Sequence, residues 1–273
     1  MSGFGDWVYE FFVRKGGLYL RELNRMWESA PREALSVKRI LESLGVSEGS
    51  LILDLGCGNG RISVNLARLG FRVVGVDISP IFIEDAVEKA RLHGVEGRVV
   101  FRVGDARRVD EELGGTLFDV ILIYWTTILG FYGDKSVDID ILRRAHRITR
   151  DGGYLLVLNS MSYDSVALRA GLVGAKASYY TDVDEELARV SVSEFDPARS
   201  VLTVTRRYYR KSEGNLLFLD EVTFKVRAYA LHELVGMAEE SGWQYVKAYK
   251  DVNTLEPYTP IELKQKPTKR GDT

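Results

Sequence analysis

The chain has 273 residues, of which 45% are hydrophobic and 28% charged, with a formal net charge of −2. That is long enough for one large α/β domain with an elaboration, or for two domains sharing a core, and too evenly charged to hold a nucleic-acid backbone through a global basic field. The single cysteine, Cys57, excludes an intrachain disulfide framework.

The opening from Met1 to Trp7 lacks the basic segment and apolar run of a secretory signal, and no stretch approaches the roughly 20 apolar residues of a membrane span. A cytoplasmic protein with no membrane partner is the expectation. Residues 4 to 30 then mix Trp7, Tyr9, Phe11, Phe12, Tyr19, Leu23 and Trp27 with Arg14, Arg21 and Arg25, and Gly16-Gly17 divides them into two short helical pieces. Pro31 opens a helix with an apolar stripe of Ala34, Val37, Ile40, Leu41 and Leu44, which Gly45 stops.

The apolar run Leu51-Ile52-Leu53 meets Asp54 and breaks into Gly56-Cys57-Gly58-Asn59-Gly60. This reads as a buried strand, a tight loop and the start of a helix. Glycines there supply backbone angles with φ > 0 and let the main chain approach a ligand. A helix to Leu69 and a second strand from Phe71 to Asp77 complete a βαβ unit, and Ser79-Pro80 caps the next helix, to His93. A third strand, Gly97 to Val103, precedes Gly104-Asp105-Ala106. A fourth runs from Phe118 to Tyr124, followed by Trp125-Thr126-Thr127. A helix from Ser136 to Arg150 and a fifth strand from Tyr154 to Asn159 follow.

The string Asp54-Leu55-Gly56-Cys57-Gly58-Asn59-Gly60 departs from the G-x-G-x-x-G of dinucleotide folds, because Arg61 stands where the third glycine falls. It resembles the first motif of the class I S-adenosylmethionine-dependent methyltransferases, and Asp151-Gly152-Gly153 before the fifth strand resembles that family too. The resemblance covers residues 45 to 160. It implies an α/β fold, a doubly wound, mostly parallel seven-stranded sheet, with S-adenosyl-L-methionine as cofactor. It assigns Asp54, Gly56, Gly58 and Gly60 to the cofactor loop, Asp77 to the ribose hydroxyls, Ile78 beside it to the cofactor pocket, Asp105 and Ala106 to the adenine, and Tyr124 to the region of the reacting methyl. In such enzymes the segment ahead of the first motif often closes as a lid; a helix packed outside the domain is the alternative for residues 1–44.

Beyond Met161 the pattern changes. A short helix from Tyr163 is followed by three segments alternating with period two, Leu187 to Val192, Val201 to Arg210 and Leu216 to Arg227, so 161–228 reads as an inserted antiparallel substrate subdomain. The core, 45–160, resumes over 229–267 with a helix from Leu231, a sixth strand over Trp243 to Tyr249 and a seventh near Pro260 to Lys266. The tail beyond Pro267 should be loose.

Methyl transfer from a sulfonium is a direct displacement that needs alignment and exclusion of water, so a dedicated catalytic residue is optional and none is assigned. His93, His146 and His232 are scattered and form no metal-binding set. After the fourth strand there is no [N/D/S]-P-P-[Y/F/W] string of base amino-methyltransferases, and no cysteine stands where cytosine carbon methylation needs one. A small-molecule O or N acceptor is the expectation, with Trp125, Tyr132, Tyr208 and Tyr229 as candidate substrate contacts; packing between sheet and core accounts equally for such aromatics. The pair Arg206-Arg207 suits an acidic substrate, but strand alternation leaves at least one of the two in solvent. A protein or tRNA acceptor, a non-catalytic nucleotide-binding module and a nicotinamide oxidoreductase are the competing readings.

Overall fold

The computed structural model describes residues 6–125 and 128–256. Helix α1 (Asp6–Tyr9) continues through a π-helical turn (Glu10–Arg14) to α2 (Gly16–Arg25), and a 3-10 turn (Met26–Ser29) leads into α3 (Ala30–Ser43). The expected break falls at Lys15. Gly16 permits close packing there, since a Cβ on it would stand 3.0 Å from Ile81 Cγ2.

Five parallel strands follow: β1 (Leu51–Leu55), β2 (Arg72–Asp77), β3 (Val99–Val103), β4 (Phe118–Tyr124) and β5 (Thr149–Leu158). They lie in the order β3-β2-β1-β4-β5. Their crossovers carry α4 (Arg61–Arg68), α5 (Pro80–Leu92), α6 (Val109–Glu112) and α7 (Lys135–Arg147). Alternate residues of the strands serve opposite faces. Ile52, Val73, Val120 and Leu122 pack with Val37, Ile40 and Leu41 of α3 and Leu66 of α4. Leu53, Leu55, Ile121 and Ile123 pack with Ile139 and Leu142 of α7 and with Met237 of α9 (Leu231–Glu240). Strand β5 starts earlier than expected: Asp151-Gly152-Gly153 lies within it as an irregularity opposite Phe118 to Val120, with Gly152 at φ 74°.

After β5, α8 (Tyr163–Val173) leads to four antiparallel strands in chain order, β6 (Lys176–Asp182), β7 (Leu187–Asp196), β8 (Val201–Ser212) and β9 (Asn215–Arg227). The period-two pattern predicts three strands, and β6 is the fourth. It lies at the edge with no fully buried residue, so no apolar alternation marks it.

Over the expected sixth strand, residues 243–248 make no strand pairing among the described residues and Tyr249 makes only an isolated bridge. Tyr245 and Val246 face solvent, and Trp243 is anchored through Nε1 to the Leu142 carbonyl at 3.0 Å. The parallel sheet therefore has five strands among the described residues; the seventh strand expected near Pro260 to Lys266 lies outside them. No helix among the described residues is long and apolar enough to cross a membrane.

Candidate active site

Strands β2 and β4 leave β1 on opposite sides, which opens a crevice at the carboxyl ends of β1 and β4, where open α/β sheets bind ligands. The loop leaving β1 folds back on β2: Gly56 and Cys57 donate their amides to the Val76 carbonyl at 2.8 and 3.0 Å. Gly56, Gly58 and Gly60 all have positive φ, 78°, 56° and 75°. Gly58 donates its amide to Asp77 Oδ2 at 2.8 Å, and Ser79 donates its amide to Oδ1 at 2.9 Å. Asp54 is buried and accepts from Ser63 Oγ at 2.5 Å. Burial pushes the pKa of both Asp54 and Asp77 up to about 6.

A cavity of about 110 Å³ in the crevice is lined by Asp54, Gly56, Gly58, Asp77, Ile78, Asp105, Ala106, Tyr124, Trp125 and Tyr132 among others. Ten of the sequence-predicted residues thus come together. Gly60 does not line the cavity. It sits under the α4 N-terminus, where a Cβ would lie 2.7 Å from Phe101 Cζ, so its demand is close packing. Asp105 is engaged by Arg107, whose Nη2 donates to Oδ2 at 2.6 Å and whose guanidinium lies over the Tyr132 ring at 4.7 Å. Burial opposes ionisation of Asp105, but the Arg107 side chain and backbone N–H hold its pKa below the ordinary carboxylate value.

Sequence reasoning missed a buried network beside this cavity. Arg61 donates to Glu33 Oε2 at 2.7 Å and lies over the Tyr124 and Trp125 rings at 5.4 and 5.1 Å. Tyr124 donates to Glu33 Oε2 at 2.9 Å and accepts from Asn159 Nδ2 at 2.9 Å. Burial, then the neighbouring Glu33 charge, raises the Tyr124 pKa, so its hydroxyl is a fixed donor. Backbone strain collects here: Trp125, Ile128 and Asn159 have φ of 67°, 77° and 53°.

Helix α2 lies over the loop. Leu23 is within 3.5 Å of where a Gly58 Cβ would stand, and Asn24 Oδ1 accepts from Asn59 Nδ2 at 2.9 Å. On its other side Glu22 is buried, accepting from Tyr208 Oη at 2.6 Å and Arg206 Nη1 at 3.4 Å, and paired with Arg189. The helix therefore joins the glycine loop to the antiparallel sheet.

A second cavity, about 650 Å³, lies between the inner face of that sheet, α8 and the N-terminal segment. Phe12, Tyr19, Trp125 and Phe131 line both cavities. Tyr208 and Tyr229 line neither, contrary to expectation. Tyr208 is fully buried with its hydroxyl on Glu22, and Tyr229 is buried with its hydroxyl 2.6 Å from Asp138 Oδ2. Strand alternation sends Arg206 inward and leaves Arg207 outside, paired with Glu221 at 2.6 Å. Among the described residues no three or more His, Cys, Asp or Glu side chains form a group able to hold a metal ion.

Known proteins share this architecture. Residues 47–196, more than half of the chain, match a family described as Methyltransferase domain. A ubiquinone biosynthesis O-methyltransferase of Mesorhizobium japonicum is 34% identical over 130 residues, 47% of this chain and 48% of the relative, so the match spans about half the relative's length. Among solved structures, the CcbJ methyltransferase of Streptomyces caelestis superposes with a TM-score of 0.68 at 22% identity, covering 85% of this chain and 84% of that one. The amino pentose methyltransferase CalS10 of Micromonospora echinaspora, solved with S-adenosylmethionine bound, gives 0.61 at 18% identity over 80% and 84%. Both likenesses are of fold.

Proposed function

The chain belongs to the methyltransferase domain family, and from that premise we propose that it transfers a methyl group from S-adenosylmethionine to an oxygen or nitrogen of a small molecule. The observation that carries the reading is the convergence of the glycine loop, Asp77 and Asp105 on one cavity that abuts a larger one across Phe12, Tyr19, Trp125 and Phe131.

The donor set suits the cofactor. Asp77 stands at the tip of β2 with two carboxylate oxygens able to accept from ribose hydroxyls, and Asp105 with Ala106 offers an acceptor beside an apolar surface for an adenine. Gly58 brings bare main chain to the cavity wall. When bound, the cofactor supplies an electrophilic methyl on a sulfonium. Tyr124, Trp125 and Phe131 wall the path between the cavities and exclude water from it, and the Arg61 guanidinium already lies over the Tyr124 and Trp125 rings. Arg61, Glu33 and Asn159 fix the Tyr124 hydroxyl, which keeps that wall in one orientation.

The first cavity is smaller than the roughly 300–1,000 Å³ of small-molecule sites because Val8, Phe12, Tyr19 and Leu23 of the N-terminal segment project into it. Residues 6–25 therefore act as a lid that withdraws to admit the cofactor and closes over it. The inserted sheet forms the acceptor chamber.

Calorimetry with S-adenosylhomocysteine and with NAD, followed by turnover of S-adenosylmethionine on a panel of small O and N acceptors, tests the reading. Binding of S-adenosylhomocysteine alone together with methylated product is the expected result. Binding of NAD instead, or binding without turnover on any acceptor, rejects it.

A further inference from the structure

We propose that the methyl acceptor carries an anionic group, a carboxylate or a phosphate monoester, and that Ser191, Arg189 and Arg206 seat that group on the inner face of the antiparallel sheet. The inference rests on the methyl-transfer reading and specifies the substrate class of the same chamber.

The three residues form one patch. Ser191 and Arg206 are directly opposed in the β7–β8 ladder, and Arg189 lies two positions from Ser191 on the same face. All three line the second cavity. Ser191 Oγ, Arg189 Nε and Arg206 Nε are each buried with no hydrogen-bond partner among the described residues. Ser191 is only 6% exposed. Three adjacent orphaned groups, each able to donate, mark a place where an acceptor is missing, because buried polar atoms are otherwise almost always paired.

Charge points the same way. Arg169, Arg189 and Arg206 line the cavity, and among its described lining residues there is no Asp or Glu. Glu22 is the carboxylate behind the patch, and it faces two guanidiniums. The remaining positive charge is partly dispersed, as Arg206 lies 5.1–5.5 Å over the Phe11, Tyr19 and Phe224 rings and Arg189 Nη2 donates to Thr181 Oγ1 at 3.1 Å. An uncompensated buried cation is costly, and a bound anion removes that cost while satisfying the orphaned donors. Phe131, Phe195, Leu202 and Val204 complete the wall, so the rest of the acceptor is an aromatic or alicyclic body.

The test is calorimetry on the full chain, saturated with S-adenosylhomocysteine, using matched probes. 4-Hydroxybenzoate is compared with 4-hydroxybenzyl alcohol, and phenyl phosphate with phenol, so that the two arms separate a carboxylate from a phosphate preference. In at least one pair the anion should bind ten times more tightly than its neutral partner or better. Arg206→Met should reduce that preference below twofold. Because Arg206 supports three rings, its loss can unfold the sheet, and Ser191→Ala is the milder variant: it should weaken anion binding threefold or more and leave the neutral probe within twofold. Equal binding within both pairs, no binding of either anion, or a preference unchanged in both variants overturns the proposal. Failure of S-adenosylhomocysteine to bind rejects methyl transfer instead, and the same probe pairs titrated without it then decide the anion seat separately.

Discussion

The Gly58 amide lies 2.8 Å from Asp77 Oδ2, so the second glycine of the loop and the acid at the tip of β2 form one unit. Burial holds that acid neutral up to about pH 6, whereas a bidentate acceptor of two hydroxyls is the carboxylate. Affinity for S-adenosylhomocysteine, whose own groups titrate outside the interval, should therefore be about tenfold weaker at pH 5 than at pH 7. Asp77→Asn should bind weakly with a flatter profile. Calorimetry at half-unit pH steps decides it, and a wild-type affinity independent of pH rules out Asp77 as the ribose acid.

The two loop glycines with different surroundings should fail differently. At Gly58 a Cβ meets only Leu23, so Gly58→Ala should cost the roughly 1–2 kcal/mol of a left-handed alanine and leave a folded protein that has lost cofactor binding. Gly60→Ala adds a collision with Phe101 and Ala86 to the same strain and should destabilise more, by upwards of about 2 kcal/mol. Urea denaturation of both variants beside their calorimetry separates the two; equal stability losses contradict the assignment.

Tyr208→Phe removes the hydroxyl that Glu22 accepts from and should cost about 1–3 kcal/mol with S-adenosylhomocysteine affinity within threefold of wild type. Glu22→Ala strands two guanidiniums and should cost more, about 3–5 kcal/mol. It should also speed tryptic cleavage at Arg14, Arg21 and Arg25. An unaltered cleavage rate shows that Glu22 does not hold α2 against the sheet.

Asp138 supplies the pH dependence of stability that is easiest to isolate. Its pKa is pushed up to about 6 by burial, against an unfolded value near 4. The folded chain therefore holds this proton between those values while the unfolded chain has released it. Its contribution is complete below about pH 4 and is lost as the pH rises through about 6. An amide never ionises, so the stability of Asp138→Asn relative to wild type should rise by about 1–3 kcal/mol between pH 4 and pH 7. Parallel chemical denaturation curves across that range measure it, and a constant difference rejects the shift.

Elements whose residues meet their neighbours in sequence were legible. The bounds of β4 follow from its apolar run, and Asp77 stands at the tip of β2, the place that the βαβ pattern gives it. Elements that depend on distant partners were not. Nothing local marks β6, an edge strand with no buried face, and Trp243 to Tyr249 alternates like a strand although among the described residues it pairs with none beyond an isolated bridge. Tyr208 and Tyr229 read as site aromatics because a tyrosine shows no sign of whether its hydroxyl meets a substrate or a carboxylate 186 or 91 positions away. One signal was present for the sheet: Arg206 falls on the inward face of β8 between Val204 and Tyr208, and a charge on a buried face demands a partner. Glu22 is that partner, from a segment with no sequence link to the sheet.

The attachment of α2 to both the glycine loop and the antiparallel sheet has a consequence for recombination. Residues 161–228 look like a portable cassette, joined to the core at two points of the chain. Their inner face, however, is finished by Glu22, Phe11 and Tyr19, which arrive from the other end of the sequence. A chimera that grafts the sheet onto another core must carry residues 6–30 with it, because the graft alone exposes two arginines and an aromatic layer that its new host cannot cover.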